Sequence, residues 1–387
     1  MTLCDTTATQ LLGDLRKGTL TVEALMQASL SRIAERNPTL NAIVALRPTE
    51  ELMAEARAAD AVPMADRGAL HGLPMAIKDL SNARGLVSSQ GSPLFAGQVA
   101  QADDIFVVRL RAAGAILIGK TNTPEFGLGS HTFNPVYGAT GNAIDPSRSA
   151  GGSSGGAAVA LAAGMVPLAD GSDMMGSLRN PAGWNEIYGF RPTWGWVPSE
   201  PAGDMFQHTL ATNGPMARNV ADLALLLDVQ SGNDPRQPHG FEAALTSPHL
   251  AAGARPKLAW LGDWGGAYPM EEGVIAACEA ALEGWDVDAI KPPFPAADLW
   301  HAWTTLRSWS VSEGLGPLYA QDHTRKALKP AAIWEIEKGQ ALSVADINRA
   351  SLIRSQWFTK AAELFETYDA LVLPTAQCFP LPIDWEY

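Results

Sequence analysis

Residues 149–181 read SAGGSSGGAAVALAAGMVPLADGSDMMGSLRNP, and the meaning of the first eight letters decides what kind of molecule this is. By composition, Gly151-Gly152-Ser153-Ser154-Gly155-Gly156 is a flexible linker. It is anchored on one side, however, because Ala157–Ala163 continues as a run of helix formers. Its glycines then serve backbone shapes that other residues resist. Upstream, from Gly127 to Gly156, the chain is rich in Gly, Ser, Asn and Pro. That segment is too polar for a core element and too long for an ordinary connection, and long structured loops often carry a site.

Two short patterns compete for the chemistry. Gly151–Gly155 satisfies G-x-S-x-G, the nucleophile elbow of α/β-hydrolases, which requires an apolar strand immediately before it. What precedes it is Asn142-Ala-Ile-Asp-Pro-Ser-Arg-Ser-Ala150, polar and interrupted by Pro146, so no central strand aims Ser153 outward. The elbow also needs a histidine base downstream, and His208, His239, His249, His301 and His323 stand in no recognisable setting. Gly114-Ala-Ile-Leu-Ile-Gly119-Lys120-Thr121 fits the phosphate-binding G-x-x-x-x-G-K-[ST] and would make an NTPase. The order of elements is wrong for it. Asp103 is placed to cap a helix through Ile105, Val108 and Ala112, Gly114 stands where a helix C-terminal glycine belongs, and Ala-Ile-Leu-Ile reads as a buried strand. Pro124 then hinders a helix opening at Lys120.

Working outward, Thr21 is expected to cap a helix to about Arg36, with Leu25, Met26, Leu30 and Ile33 near helical period and Asn37-Pro38 ending it. Short apolar runs at Asn41–Leu46, Leu73–Ile77, Ala115–Ile118, Lys257–Leu261 and Ala370–Leu373 alternate with helical stretches. The pattern predicts an α/β fold with a mixed sheet. No Gly-Ser or charged linker marks a boundary, so residues 1–387 are expected to form a single domain.

A chain of 387 residues, 47% hydrophobic, can bury a large core. The net charge of −13 argues against a nucleic-acid surface, which needs clustered Lys and Arg. Cys4, Cys278 and Cys378 lie far apart, make no even-numbered set and show no metal-ligand spacing. No apolar stretch approaches the length of a membrane span and no secretory leader is evident. These features predict a cytoplasmic protein acting on a small, weakly polar substrate, with no nucleic acid and no membrane as partner.

Three ordered segments bear on the activity together: Gly72-Leu-Pro-Met-Ala-Ile-Lys78-Asp79, the loop Ser149–Gly156, and Gly171-Ser-Asp173-Met-Met-Gly176-Ser177-Leu-Arg179-Asn-Pro181. With Gly119-Lys-Thr-Asn-Thr-Pro-Glu-Phe126 and Tyr188-Gly-Phe-Arg-Pro-Thr193, the chain resembles the amidase-signature family clearly from about Arg67 to Leu227 and more weakly on either side. The resemblance implies an amidase-type domain with a mixed central β-sheet covered by helices on both faces. It implies an amide hydrolase acting on a small-molecule amide, with no metal or organic cofactor, and it is compatible with a homodimer.

Residue by residue, the resemblance makes Ser177 the nucleophile, Ser153 the proton relay and Lys78 the base; the 24-residue spacing of the serines matches the family's and selects Ser153 over Ser154. A serine hydroxyl needs a base to become a nucleophile, and Lys78, flanked by Met75, Ala76, Ile77 and Leu80, is expected to be held toward its neutral form by burial. A cis peptide at Gly152–Ser153 is carried over from the family. Backbone N–H groups of Met174, Met175, Gly176 and Ser177 would form the oxyanion hole. Ser154, Asp173 and Arg179 would support the loops. Met175 stands where the family usually shows glycine, and the chain stops at Tyr387 where family members usually continue, so the C-terminal part is expected to be shortened. Trp184, Tyr188, Trp194 and Trp196 are candidates to line an apolar acyl pocket. Two alternatives stay open beside the amidase: a component of the amidotransferase that supplies ammonia for glutaminyl-tRNA, and a noncatalytic binding protein on the same fold.

Overall fold

Helices and short strands alternate as the apolar runs require. A computed structural model describes residues 2–240, 242, 244–250, 253 and 255–386. Packing resolves two compact units, Met1–Leu250 with Pro380–Tyr387, and Ala251–Phe379, although no linker composition marks the joint.

The first unit runs α1 (Ala8–Lys17), α2 (Val22–Leu40), β1 (Ile43–Val44), α3 (Thr49–Asp60), β2 (Pro74–Lys78), α4 (Ile105–Ala112), β3 (Ile116–Thr121), β4 (Phe133–Asn134), β5 (Gly138–Ala139), α5 (Gly155–Ala162), β6 (Ala169–Asp173), α6 (Arg179–Trp184), β7 (Tyr188–Gly189), β8 (Thr212–Ala217) and α7 (Val220–Gln230). Strand β3 lies between β1, antiparallel to it, and β2, parallel to it. Strand β8 lies between β6 and β7, antiparallel to both, and β4 and β5 pair as a hairpin. The fold is therefore mixed α/β, with its strands in small sheets rather than one uninterrupted ladder. Strands β2 and β6 belong to different sheets and meet through a side chain, the Lys78 backbone N–H donating to the Asp170 carboxylate at 3.1 Å.

The core is shared by α1, α2, β2, β3 and α5. Helix α5 is buried along its length because Gly, Ala and Val let neighbours approach closely; a Cβ on Gly156 would stand 2.3 Å from the Asn122 backbone nitrogen. Thr21 caps α2 through an Oγ1 that accepts from the Ala24 N–H at 3.1 Å. The helix runs past Asn37-Pro38 to Leu40, because a proline in the last turn forfeits only one hydrogen bond and Asn41 closes the end in a left-handed conformation. Helix α4 starts after Asp104, not Asp103. Asp103 instead accepts from the Arg84 N–H and pairs with Arg111. Gly114 does end that helix with φ of 88°, and Lys120 lies inside β3 with no exposure. Its ammonium donates to the Ser81 carbonyl and Ser88 Oγ and stands 3.8 Å from Asp79. No helix opens there to present N–H groups to a phosphate, so the NTPase reading falls.

The second unit contains β9 (Lys257–Trp260), α8 (Val274–Ala281), β10 (Asp286–Ala289), α9 (Ala296–Tyr319), α10 (Asp322–Arg325), α11 (Pro330–Gln340), α12 (Val344–Phe365) and β11 (Ala370–Val372). Strand β9 is central and parallel to both neighbours. Helix α11 packs on α9, where Gly339 leaves room for the Ser308 carbonyl and Glu335 accepts from Ser308 Oγ at 2.5 Å.

Candidate active site

Strand β2 ends at Lys78 with every residue buried, and this delivers a lysine side chain to the interior with 1% exposure. Its Nζ has four oxygen acceptors: Ser153 Oγ and Ser154 Oγ, both at 2.8 Å, Ser172 Oγ at 3.0 Å and the Ser172 carbonyl at 3.2 Å. No carboxylate lies within 4 Å of it among the described residues. Burial lowers its pKa from 10.5 to about 7, and the fields of Asp170 and Asp173 oppose that shift. The hydrogen bonds fix which way protons run. The Ser172 carbonyl can only accept, and Ser154 Oγ directs its own proton to that carbonyl at 3.3 Å. Both therefore take N–H donors, and a neutral Lys78 keeps its lone pair for one of the other two hydroxyls.

The serine loop is held tightly. The Gly152–Ser153 peptide is cis. Thr132 Oγ1 donates to the Gly151 carbonyl at 2.7 Å, Gly152 N–H donates to Asn180 Oδ1 at 3.2 Å, and Ser154 N–H donates to the Ser177 carbonyl at 3.2 Å. Gly151 has φ of 76°, and a Cβ there would stand 2.6 Å from Asn180 Oδ1 and 3.1 Å from the Trp184 ring. A linker has no such contacts.

Asp173, at the end of β6 and fully buried, organises the loop that follows. Its carboxylate accepts from the Gly176 N–H at 2.7 Å and the Leu178 N–H at 3.0 Å, and takes Arg179 in a two-point pair at 3.0 and 3.1 Å, with Arg191 at 3.4 Å. Burial pushes this carboxyl up, but the Arg179 bonds and charge with the two N–H donors together hold it below its ordinary value. One expectation is revised here. Gly176 N–H faces Asp173, so three of the four expected oxyanion donors remain without a partner among the described residues: the N–H groups of Met174, Met175 and Ser177. The Met175 side chain is 40% exposed and thus lies outside the core.

A family model described as Amidase matches residues 24–386. This chain belongs to the amidase-signature family. It is 32% identical over 392 residues to an acylamidase from Rhodococcus erythropolis, an alignment covering 97% of this chain and 80% of that protein. It is 43% identical over 236 residues to a glutamyl-tRNA(Gln) amidotransferase subunit of Chloroflexus aurantiacus, covering 60% of this chain and 48% of that protein. The solved structure of a bacterial aryl acylamidase of the amidase-signature family superposes with a TM-score of 0.89 at 27% identity, covering 97% of this chain and 81% of that one.

Within this amidase-family chain, Lys78, Ser153 and Ser154 meet at one cluster, and Ser177 is tied to it through its carbonyl. The Ser177 hydroxyl itself makes no hydrogen bond to another described residue. Ser172 was not expected in the cluster; the sequence signal available was its place one residue before Asp173 in a segment already singled out. Asp170 was also missed. The elbow reading fails on two grounds, since residues 142–150 form no strand and the partner of Ser153 Oγ is a lysine rather than a histidine. The four candidate pocket aromatics do not act as a set: Trp184 packs on Gly151, Trp194 lies tilted against His239, Trp196 packs on the core and Tyr188 is half exposed.

Proposed function

We propose that this chain hydrolyses a small-molecule carboxylic amide through an acyl-enzyme on Ser177. The observation that carries the reading is the buried Lys78 Nζ, 2.8 Å from Ser153 Oγ, with a pKa brought to about 7 by burial. Ser177 Oγ attacks the carbonyl carbon while its proton passes to Ser153 Oγ and the Ser153 proton passes to the Lys78 lone pair. The oxyanion is met by the N–H groups of Met174, Met175 and Ser177. The proton returns to the amide nitrogen as the C–N bond breaks, releasing ammonia or an amine, and water deprotonated by the same relay hydrolyses the ester. Asp173 and Arg179 hold the oxyanion loop in shape, and Ser154 orients Lys78.

The reading extends to the whole molecule. Residues 1–387 work as one amidase-type domain, supported by a family match that spans both compact units. A cytoplasmic location and action without nucleic acid or membrane complete it. In support stand the net charge of −13, three unbridged cysteines, and the absence among the described residues of any helix long and apolar enough to cross a membrane. An acyl or aryl amide is the substrate class, after the acylamidase and aryl acylamidase that this chain resembles.

Treatment with a fluorophosphonate and peptide mass spectrometry test the nucleophile: the adduct is expected on Ser177 and absent in Ser177→Ala, whose fold should be intact. An adduct on Ser153 would instead make Ser153, with Lys78 at 2.8 Å, the nucleophile and overturn the assignment of Ser177. A second reading, ammonia supply within an amidotransferase complex, is favoured by the 43% identity to an amidotransferase component. Turnover of simple amides by the purified chain alone decides against it, and glutaminase activity appearing only with partner chains decides for it.

A further inference from the structure

Asp170 is a buried carboxylate that touches the backbone of Lys78 and to which the relay gives no role. It sits on β6 with 1% exposure. Its oxygens accept from the Lys78 backbone N–H at 3.1 and 3.4 Å, and it has no ion pair within 4 Å among the described residues. The neighbouring carboxylates have their own cations: Asp79 stands 3.8 Å from Lys120, and Asp173 is paired with Arg179 and Arg191. The elements packed on β6 contribute few charges. Helix α5 contains none, β8 opposes Asp170 with Pro215, β2 contributes Lys78 and β3 contributes Lys120. A carboxylate buried without a paired cation is costly and marks a candidate functional residue.

We infer that Asp170 is a positioning residue of the reaction: it fixes the end of β2 under the serine cluster through the Lys78 N–H, and its charge stabilises the ammonium that Lys78 becomes when the relay delivers a proton. The inference rests on the assignment of Lys78 as base. The two effects come from one side chain with two separable properties. The acceptor oxygen holds the backbone from which the Lys78 side chain reaches its four acceptors. The charge acts on Nζ through a low-dielectric interior, where fields are little screened. Burial remains the larger influence on Lys78, bringing it to about 7, and Asp170 opposes it. Burial likewise raises Asp170, to about 6, so the carboxylate is about half ionised where Lys78 begins to lose its proton and mostly ionised at the lysine midpoint of about 7.

The test is the rate of fluorophosphonate labelling of Ser177 against pH, in the full chain, for wild type, Asp170→Asn and Asp170→Leu, with folding checked by thermal melting. Removing a negative charge disfavours the ammonium and lowers the lysine pKa, so the rising limb of the profile is expected to move to lower pH by roughly one unit in both variants. The limiting rate should fall about tenfold in Asp170→Asn, which leaves a weaker base, and further in Asp170→Leu, which also removes the acceptor. A purely structural residue would change the rate and leave the limb in place, so an unmoved limb in whichever variant folds overturns the inference. A wild-type profile with no rising limb overturns the base assignment itself, and the inference with it.

Discussion

Moving a lysine from water to a site with 1% exposure disfavours the ammonium, and at Lys78 this lowers the pKa from 10.5 to about 7. In the proposed relay only the neutral amine can accept the Ser153 proton. Amide turnover should therefore rise with pH through about 7 and level off above it, and a profile flat from pH 5 to 9 would remove Lys78 from the relay. The same shift affects stability. Between about 7 and 10.5 the unfolded chain binds a proton at this residue that the folded chain does not, so the lysine's contribution to stability increases with pH across that window and is least favourable below it. Lys78→Met should then be inactive yet more stable than wild type at pH 7, by roughly 1–3 kcal/mol. Thermal unfolding of the pair checks this. A lower melting temperature in the methionine variant would show that the hydrogen bonds to Ser153, Ser154 and Ser172 outweigh the burial cost.

At the scale of the element, β6 and the loop after it form one device, with the strand carrying Asp170 and Ser172 to the lysine while Asp173 at its end ties down residues 176, 178 and 179. Cutting this tie leaves two backbone donors and two guanidinium groups short of an acceptor. Asp173→Ala is expected to destabilise the chain by about 1–3 kcal/mol for each of the two backbone donors it strands, and to cut kcat by about 100-fold through loss of the geometry of the proposed oxyanion loop. Urea unfolding and steady-state kinetics measure the two effects, and a stable variant with normal kcat would show that the loop holds itself. Because the Asp173 carboxyl is held below its ordinary value of 3.8, its stabilisation is complete above that pH and is lost as pH falls below it. The same strand shows why the site was only partly legible. Strands β2 and β3 contain the apolar runs Met75–Ile77 and Ile116–Ile118 and could be read from periodicity. Strand β6 is Ala-Asp-Gly-Ser-Asp, a composition disfavoured in strands, so neither the strand nor the inward aim of Asp170 and Ser172 followed from pattern. The family resemblance named Lys78 and Ser153, which the fold brings within 2.8 Å, while the engagement of Gly176 N–H by Asp173 depends on loop geometry that motif spacing does not contain.

Across the first unit, helix starts are secured by carboxylates remote in sequence. The N–H groups of Ala8 and Thr9 in the first turn of α1 donate to Asp222 at 2.7 and 2.9 Å, a contact spanning 214 residues. Val22 and Glu23 at the start of α2 donate to Asp60 at 2.7 and 3.0 Å. Each carboxylate takes two otherwise orphaned donors at the positive end of a helix dipole, and Asp222 does so with 1% exposure. Such contacts escape any local reading, since nothing near residue 8 announces a partner near residue 222. Helices α1 and α2 both contribute to the core that also contains β2, so docking α1 stabilises the scaffold behind Lys78 without touching the reacting groups. Asp222→Ala removes the cap on the exposed Thr9 N–H, about 1 kcal/mol, and leaves the one buried donor, the Ala8 N–H, unsatisfied at about 1–3 kcal/mol; a total loss of about 2–4 kcal/mol is expected in urea unfolding. Turnover at 25 °C should stay near wild type, because the folded fraction remains high and the Lys78 cluster keeps its contacts. A variant that keeps its stability but loses kcat would place Asp222 in the reaction rather than in the scaffold.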